Sequence, residues 1–153
     1  RPAGRRLRVG AGLLGVGCGL ALGVGGPSAV TAQNSVEVAR ARQTLEHYTE
    51  CERTRRFGPC WPLLSKRVQA DWARQGRPGA AEYADARGAG EPRYVDFRVM
   101  QIRRSPSRVV FVTEATRAAE RDGLPDRVEY AILREGDQWK VDGRRVGASE
   151  TTP

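Results

Sequence analysis

The chain is poor in the residues that most site chemistry requires. Its 153 residues include one histidine, one methionine and three cysteines. A single histidine, His47, excludes a histidine-built metal centre, and no spacing of Cys, His, Asp and Glu gathers the four ligands of a structural zinc. Lysine is almost missing: of 26 basic residues only Lys66 and Lys140 are lysines. So strong an arginine bias reads as the base composition of a GC-rich genome rather than as phosphate recognition. Beyond residue 34 no run approaches the roughly 20 apolar residues of a membrane-spanning helix. The same stretch holds no internal repeat and no low-complexity tract.

What is present begins with a leader. Arg1, Arg5, Arg6 and Arg8 form a positive segment, and Val9 to Val24 is uncharged. Gly25-Gly26-Pro27 then breaks a helix, and Ala29-Val30-Thr31-Ala32 supplies small residues where a signal peptidase reads. This is the layout of a secretory signal peptide spanning residues 1–32. The competing reading is an uncleaved anchor, the one route by which this chain would meet a membrane. Residues 9–34 are long enough for it, although glycines at 10, 12, 15, 17, 19, 23, 25 and 26 dilute the segment. Gly15 stands where a lipoprotein leader has leucine before its cysteine, here Cys18, and Arg8 occupies an apolar place of the twin-arginine pattern.

Subtracting 32 residues from 153 leaves 121, and the loss of four arginines lowers the formal charge from +8 to +4. A chain of this length is one domain that buries roughly two-thirds of its unfolded surface. Export, modest charge and the lack of a basic stripe interleaved with aromatics argue against nucleic acid as a partner. Cys51 and Cys60 remain. In an oxidising compartment such a pair is expected as a disulfide, the alternative being two buried thiols.

Residues 33–147 change period half-way. Ser35 is placed to cap a first helix carrying Val38, Ala41, Leu45 and Tyr48 on one stripe and ending near 51–53. Residues 54–59 read as a turn. Trp61-Pro62 opens a second helix with Leu64, Val68 and Trp72 on one face, stopped by Gly76-Arg77-Pro78-Gly79. Ala80 to Arg87 is a short third helix, and 88–92 a linker. Four strands follow: Tyr94 to Arg103, Val109 to Ala118, Arg127 to Arg134 and Gln138 to Asp142. Val109, Phe111, Thr113 and Ala115 share a face, as do Val128, Tyr130 and Ile132, and Trp139 and Val141. Residues 148–153 are a polar tail. Helices first and antiparallel strands second is an α+β layout, with the helices covering one sheet face.

Cys60-Trp61-Pro62-Leu63-Leu64-Ser65 and the closing Gly136-Asp137-Gln138-Trp139-Lys140-Val141-Asp142-Gly143 carry a resemblance. The former is similar to the aromatic-x-Leu-Leu-Ser start of the second helix in the nuclear-transport-factor-2-like superfamily of cone-shaped domains. The latter resembles that family's last Gly-x-x-Trp-Lys-Val strand. Over Ser35 to Val146 the resemblance implies a four-stranded sheet curved around the first helix, with a cavity at its open end. Members of the superfamily include isomerases, dehydratases and hydrolases alongside extracytoplasmic binding modules, so the fold does not choose between them. Family members also pair through the outer sheet face, which makes a homodimer an option.

Tyr48, Trp61, Trp72, Phe97, Phe111, Tyr130 and Trp139 are the residues placed to line that cavity, with plain core packing as the alternative for each. His47 lies off the apolar stripe and reads as a surface histidine. No catalytic set, metal site or cofactor motif is visible. Tyr48, Asp96 and Glu129 are the side chains that an isomerase- or dehydratase-like reaction would have to use. Arg103, Arg104 and Arg108, with Arg144 and Arg145, read as a solvated rim, or else as a surface for an acidic partner. The expected function is an exported, non-catalytic module that binds a small apolar ligand or an envelope protein, in the periplasm, the cell envelope or outside the cell. The enzyme is the competing reading. Intact-mass measurement of exported protein is expected to give a chain starting at Gln33 and lighter by two protons. A start at Arg1 contradicts cleavage, and a count of two thiols contradicts the disulfide.

Overall fold

The computed structural model describes residues 27–90, 92–119 and 123–147. Most of the expected leader and the polar tail lie outside the described residues. Helix α1 spans Pro27–Thr54, a 3-10 helix spans Gly58–Leu63, and helices α2 and α3 span Lys66–Arg74 and Ala80–Gly90. Strands β1 to β4 span Tyr94–Ser105, Arg108–Arg117, Asp126–Glu135 and Gln138–Gly147. They form one open antiparallel sheet in the order β1-β2-β3-β4. The fold is therefore α+β, helices before strands.

α1 starts earlier than the capping pattern suggests. Pro27 suits a first helical turn, because its missing N–H has no partner there in any case. Nothing between Ala29 and Asn34 breaks a helix, so Ser35 is an interior position rather than the cap. One stripe of α1 enters the core: Ala41, Leu45, Tyr48, Cys51 and Glu52 are all buried. Glu37 ties the first half of the helix to two strands, pairing with Arg104 at 2.9 Å and Arg134 at 3.0 Å.

Trp61-Pro62 does not open α2. Pro62 lies inside the 3-10 helix, and Leu64 is extended, forming a parallel bridge with Val141 of β4. Ser65 donates its N–H to the Val141 carbonyl at 2.9 Å and caps α2 by accepting from the Val68 N–H at 3.2 Å. Joining the sheet thus delays the helix to the first residue with a capping hydroxyl. α3 runs on through Gly88-Ala89-Gly90, which the sequence pattern marks as linker. Tertiary contacts outweigh glycine's poor propensity there: Arg87 is buried, and Arg55 donates to the Gly88 carbonyl.

The sheet obeys the two-residue alternation. Val109, Phe111, Thr113, Ala115, Val128, Tyr130, Ile132, Trp139 and Val141 are all buried. Register shifts interrupt the ladder between Tyr94 and Asp96, between Val99 and Gln101, and where Ala131 pairs Gly143 but Ile132 pairs Val141. The last leaves Asp142 as an extra residue in β4. Gly136 turns the β3–β4 hairpin with φ of 59°, a left-handed conformation that favours glycine.

Cys51 and Cys60 form a disulfide with Cα atoms 6.4 Å apart, joining the end of α1 to the 3-10 helix. Closing so short a loop stabilises by about 2.5–3 kcal/mol on a chain-entropy estimate. Replacing both cysteines by alanine is expected to lower the unfolding free energy by about that amount in a denaturant titration. A change within experimental error would mean the bridge adds nothing to the fold.

Candidate functional site

Between the helices and the sheet lies a polar node built on Glu52, 2% exposed. Glu52 stands one helical turn after Tyr48, so both face the sheet. Its Oε1 accepts from Arg87 Nη2 of α3 at 2.8 Å and lies 2.7 Å from Arg144 Nε of β4. Its Oε2 accepts from the Tyr130 hydroxyl of β3 at 2.5 Å. Four elements therefore meet at one carboxylate. Arg87 also lies 5.0 Å from the Phe57 ring centre, a cation–π distance.

The β4 bulge explains why Arg144 is there. Trp139 and Val141 point inward. A regular strand would next send in Gly143 and Arg145. The extra residue Asp142 advances the phase by one, so Gly143 faces Ala131 on the outer side and Arg144 faces Tyr130 on the inner side. The Arg144 side chain is 11% exposed and that of Arg145 77%. The sequence pattern puts the two together on a solvated rim, and only Arg145 is there. Asp142 itself is buried, accepting from Ser65 Oγ at 2.8 Å and Arg67 Nε at 3.0 Å.

A cavity of about 230 Å³ opens beside this node. Its polar wall is Tyr48, Tyr83, Arg87 and Arg144, and its apolar wall is Leu64, Val68, Trp72 and Val141. The Tyr48 and Tyr83 hydroxyls are 3.0 Å apart, and Trp72 meets the Tyr83 ring edge-on at 5.1 Å. The lining is mixed rather than apolar. A neighbouring cluster completes the polar interior. Asp126 accepts from the Tyr94 hydroxyl at 2.6 Å and from Arg117 at 2.7 and 3.0 Å, while Arg144 lies 5.7 Å from the Tyr94 ring centre.

Tyr48 and Trp72, two of the residues expected to line a cavity, border this one. Trp61 packs 5.5 Å from the Tyr83 ring centre, and Phe97 packs against Tyr94 and Tyr130. Phe111 and Trp139 belong to the hydrophobic core, and Tyr130 holds Glu52. Asp96 is exposed at the sheet edge, and Glu129 lies on the outer sheet face among Arg103, Arg127 and Arg145, so neither approaches Tyr48. His47 is exposed, beside a groove near the disulfide. Sequence reasoning passes over Glu52, Tyr83 and Arg87 as site residues, and it puts Arg144 on the rim. The first three carry a faint signal, since Tyr48/Glu52 and Tyr83/Arg87 are both i, i+4 pairs.

Burial raises all four tyrosines above the ordinary phenol value. Tyr48 is pushed well above it by burial and then by the nearby Tyr83, and Tyr130 by burial and then by Glu52. Tyr83 is raised chiefly by burial, and Tyr94 reaches about 12 through burial and its bond to Asp126. Burial alone would raise Asp126 as well, but the bonds from Arg117 and Tyr94 outweigh it and leave it below the usual carboxylate value. The cavity therefore offers neutral phenols and guanidinium groups, which are hydrogen-bond donors at neutral pH.

Among the described residues no group of three or more His, Cys, Asp or Glu gathers as a metal site, and no helix is long and apolar enough to cross a membrane. Comparison with protein-family models, with curated proteins and with solved structures gives no match.

A tyrosine held neutral above its unfolded value contributes stability in full below pH 10.0, and that contribution fades as pH rises through the folded value. Ultraviolet titration of the phenolates is expected to show one steep step above pH 10.0, coincident with loss of tertiary circular dichroism. Gradual ionisation near pH 10.0 in a folded protein would contradict the burial of these hydroxyls.

Proposed function

We propose that this chain is an exported, non-catalytic binding module of the nuclear-transport-factor-2-like, cone-shaped kind, whose inner cavity takes a small ligand through hydrogen-bond donation. One observation carries the reading. The space between Tyr48, Trp72 and Tyr83 is walled by phenol and guanidinium donors, while the nearby carboxylate, Glu52, already accepts from Tyr130 and Arg87 and pairs with Arg144. A site rich in donors and without an available base suits recognition of an acceptor-bearing molecule better than proton abstraction. Asp96 and Glu129, the carboxylates an isomerase-like reaction would need, do not line this space.

The element order of helices followed by a four-stranded meander supports the family reading. So do the register shifts in β1 and β4, because bulges bend and twist the strands that carry them. A sheet curved in this way closes over α1 and leaves a cavity at one end. The Cys51–Cys60 disulfide favours an oxidising, extracytoplasmic location. At about 230 Å³ the cavity falls below the roughly 300 Å³ at which drug-sized pockets begin, so its ligand is a single ring or smaller.

Heteronuclear NMR titration with phenol and benzoate tests this. Saturable shifts centred on the Trp72 indole, Tyr48 and Tyr83 are expected, with benzoate the tighter probe, and weakened at least severalfold by Trp72→Ala. Shifts confined to other surfaces, or none up to the solubility of the probes, would contradict the cavity as a binding site.

A further inference from the structure

We infer that the outer face of the sheet holds a second binding site, for a small ligand bearing two or more oxyanion groups. Cross-strand pairing places Arg103, Val110, Ala131 and Gly143 in one row on that face, with Gln101, Val112, Glu129 and Arg145 in the next. Val110, Ala131 and Gly143 form a low floor to a groove of about 600 Å³, and Arg103, Arg108 and Arg145 rise around it. Gly143 adds no side chain there, so the floor stays open. The same bulge that turns Arg144 inward sets Gly143 and Arg145 on this outer face.

Arg103 and Arg145 stand on the two edge strands, which run three strand spacings or about 14 Å apart. Both lean over the floor to one carboxylate: Arg103 Nη2 is 2.9 Å from Glu129 Oε1, and Arg145 Nη2 is 3.0 Å from Glu129 Oε2. Arg127 lies 3.7 Å from the same carboxylate. Three guanidinium groups thus share one internal oxyanion. Arg108, 3.7 Å from Asp142, adds a fourth, and Asp142 is already bonded to Ser65 and Arg67. Farther out, Arg98 and Glu114 face each other across β1 and β2 and cancel in charge. Arg103, Arg108, Arg127 and Arg145 are between 46% and 77% exposed, within reach of a solute. Guanidinium forks match carboxylate and phosphate oxygens in pairs, and their surplus around Glu129 favours an anion. A second copy of the chain fits poorly, because a two-fold pairing of this face sets arginine against arginine.

Gly143 and Arg144 border both this groove and the inner cavity, whereas Arg103, Arg108, Glu129 and Arg145 belong to the groove alone, so a response that follows these residues reads this site and not the inner one. Calorimetry of the full chain at fixed ionic strength, with pyrophosphate and citrate as probes and orthophosphate and acetate as comparators, tests it. At least one divalent-type probe should bind roughly tenfold more tightly than its comparator, and which one does tells phosphate from carboxylate chemistry. Arg103→Gln with Arg145→Gln should lose roughly tenfold or more of that affinity, whereas Glu129→Gln, which removes the internal competitor, should strengthen binding severalfold. Circular dichroism of these surface variants checks that each is folded. Affinity that tracks charge alone and is unmoved by the three substitutions overturns the inference. So does binding to anionic phospholipid vesicles with no response to the soluble probes.

Discussion

The interior is organised by the need to satisfy one buried carboxylate. Glu52 lies under the helices at 2% exposure, and an ionised group there is tolerable only with partners of opposite charge and with hydrogen bonds. Those partners come from separate parts of the chain: Arg87 from α3, Tyr130 from β3 and Arg144 from β4. Each is useful only if its element is in register. A slip of β4 by one residue would send Arg144 to solvent, and a shorter α3 would leave Arg87 unplaced. Buried ion pairs of this kind add little net stability against an apolar alternative, but losing one member is costly. Their effect here is to single out one packing of α1 and α3 on the sheet, while the apolar core supplies most of the stability.

The inner cavity and the outer groove both follow from a single irregularity in β4. Asp142 is the extra residue, and Ser65 and Arg67 fix it in place. Ahead of it Trp139 and Val141 pack into the core. After it Arg144 joins Glu52 while Gly143 and Arg145 turn to the other side. The strand thereby gives a guanidinium to the donor-rich cavity and another to the arginine groove. Bulges re-aim side chains in this way, at the cost of one unpaired residue in the ladder.

Much of the fold is legible in the sequence, because strands and helices obey fixed periods. The alternation in 109–115, 128–132 and 139–141 identifies the buried sheet face, and the order of helices before strands identifies the class. The pair Cys51 and Cys60, read in a chain expected to be exported, likewise points to the bridge that is present. The misses share a cause: long-range contacts that local pattern does not contain. Ser35 reads as a cap until Pro27 takes the first turn. Trp61-Pro62 reads as a helix start until Leu64 pairs with Val141. Gly88 to Gly90 reads as linker until Arg87 is bound to Glu52. Arg144 and Arg145 are alike until the bulge separates them. The candidate site is the least legible part. Aromatics are the natural place to seek its walls, and Tyr48 and Trp72 are there, but its character comes from Glu52, Arg87 and Arg144, which in sequence resemble any charged surface residues.

A double-mutant cycle on Glu52 and Arg87 tests the organising role of the carboxylate most directly. Glu52→Gln and Arg87→Gln, singly and together, are compared by denaturant unfolding at neutral pH. Glu52→Gln alone should cost about 3–5 kcal/mol, because it strands Arg87 and Arg144 in the interior. The pair should be strongly non-additive, with a coupling of about 2–3 kcal/mol. Additivity to within about 0.5 kcal/mol would mean that the two side chains act independently, and that Glu52 does not hold the helices to the sheet.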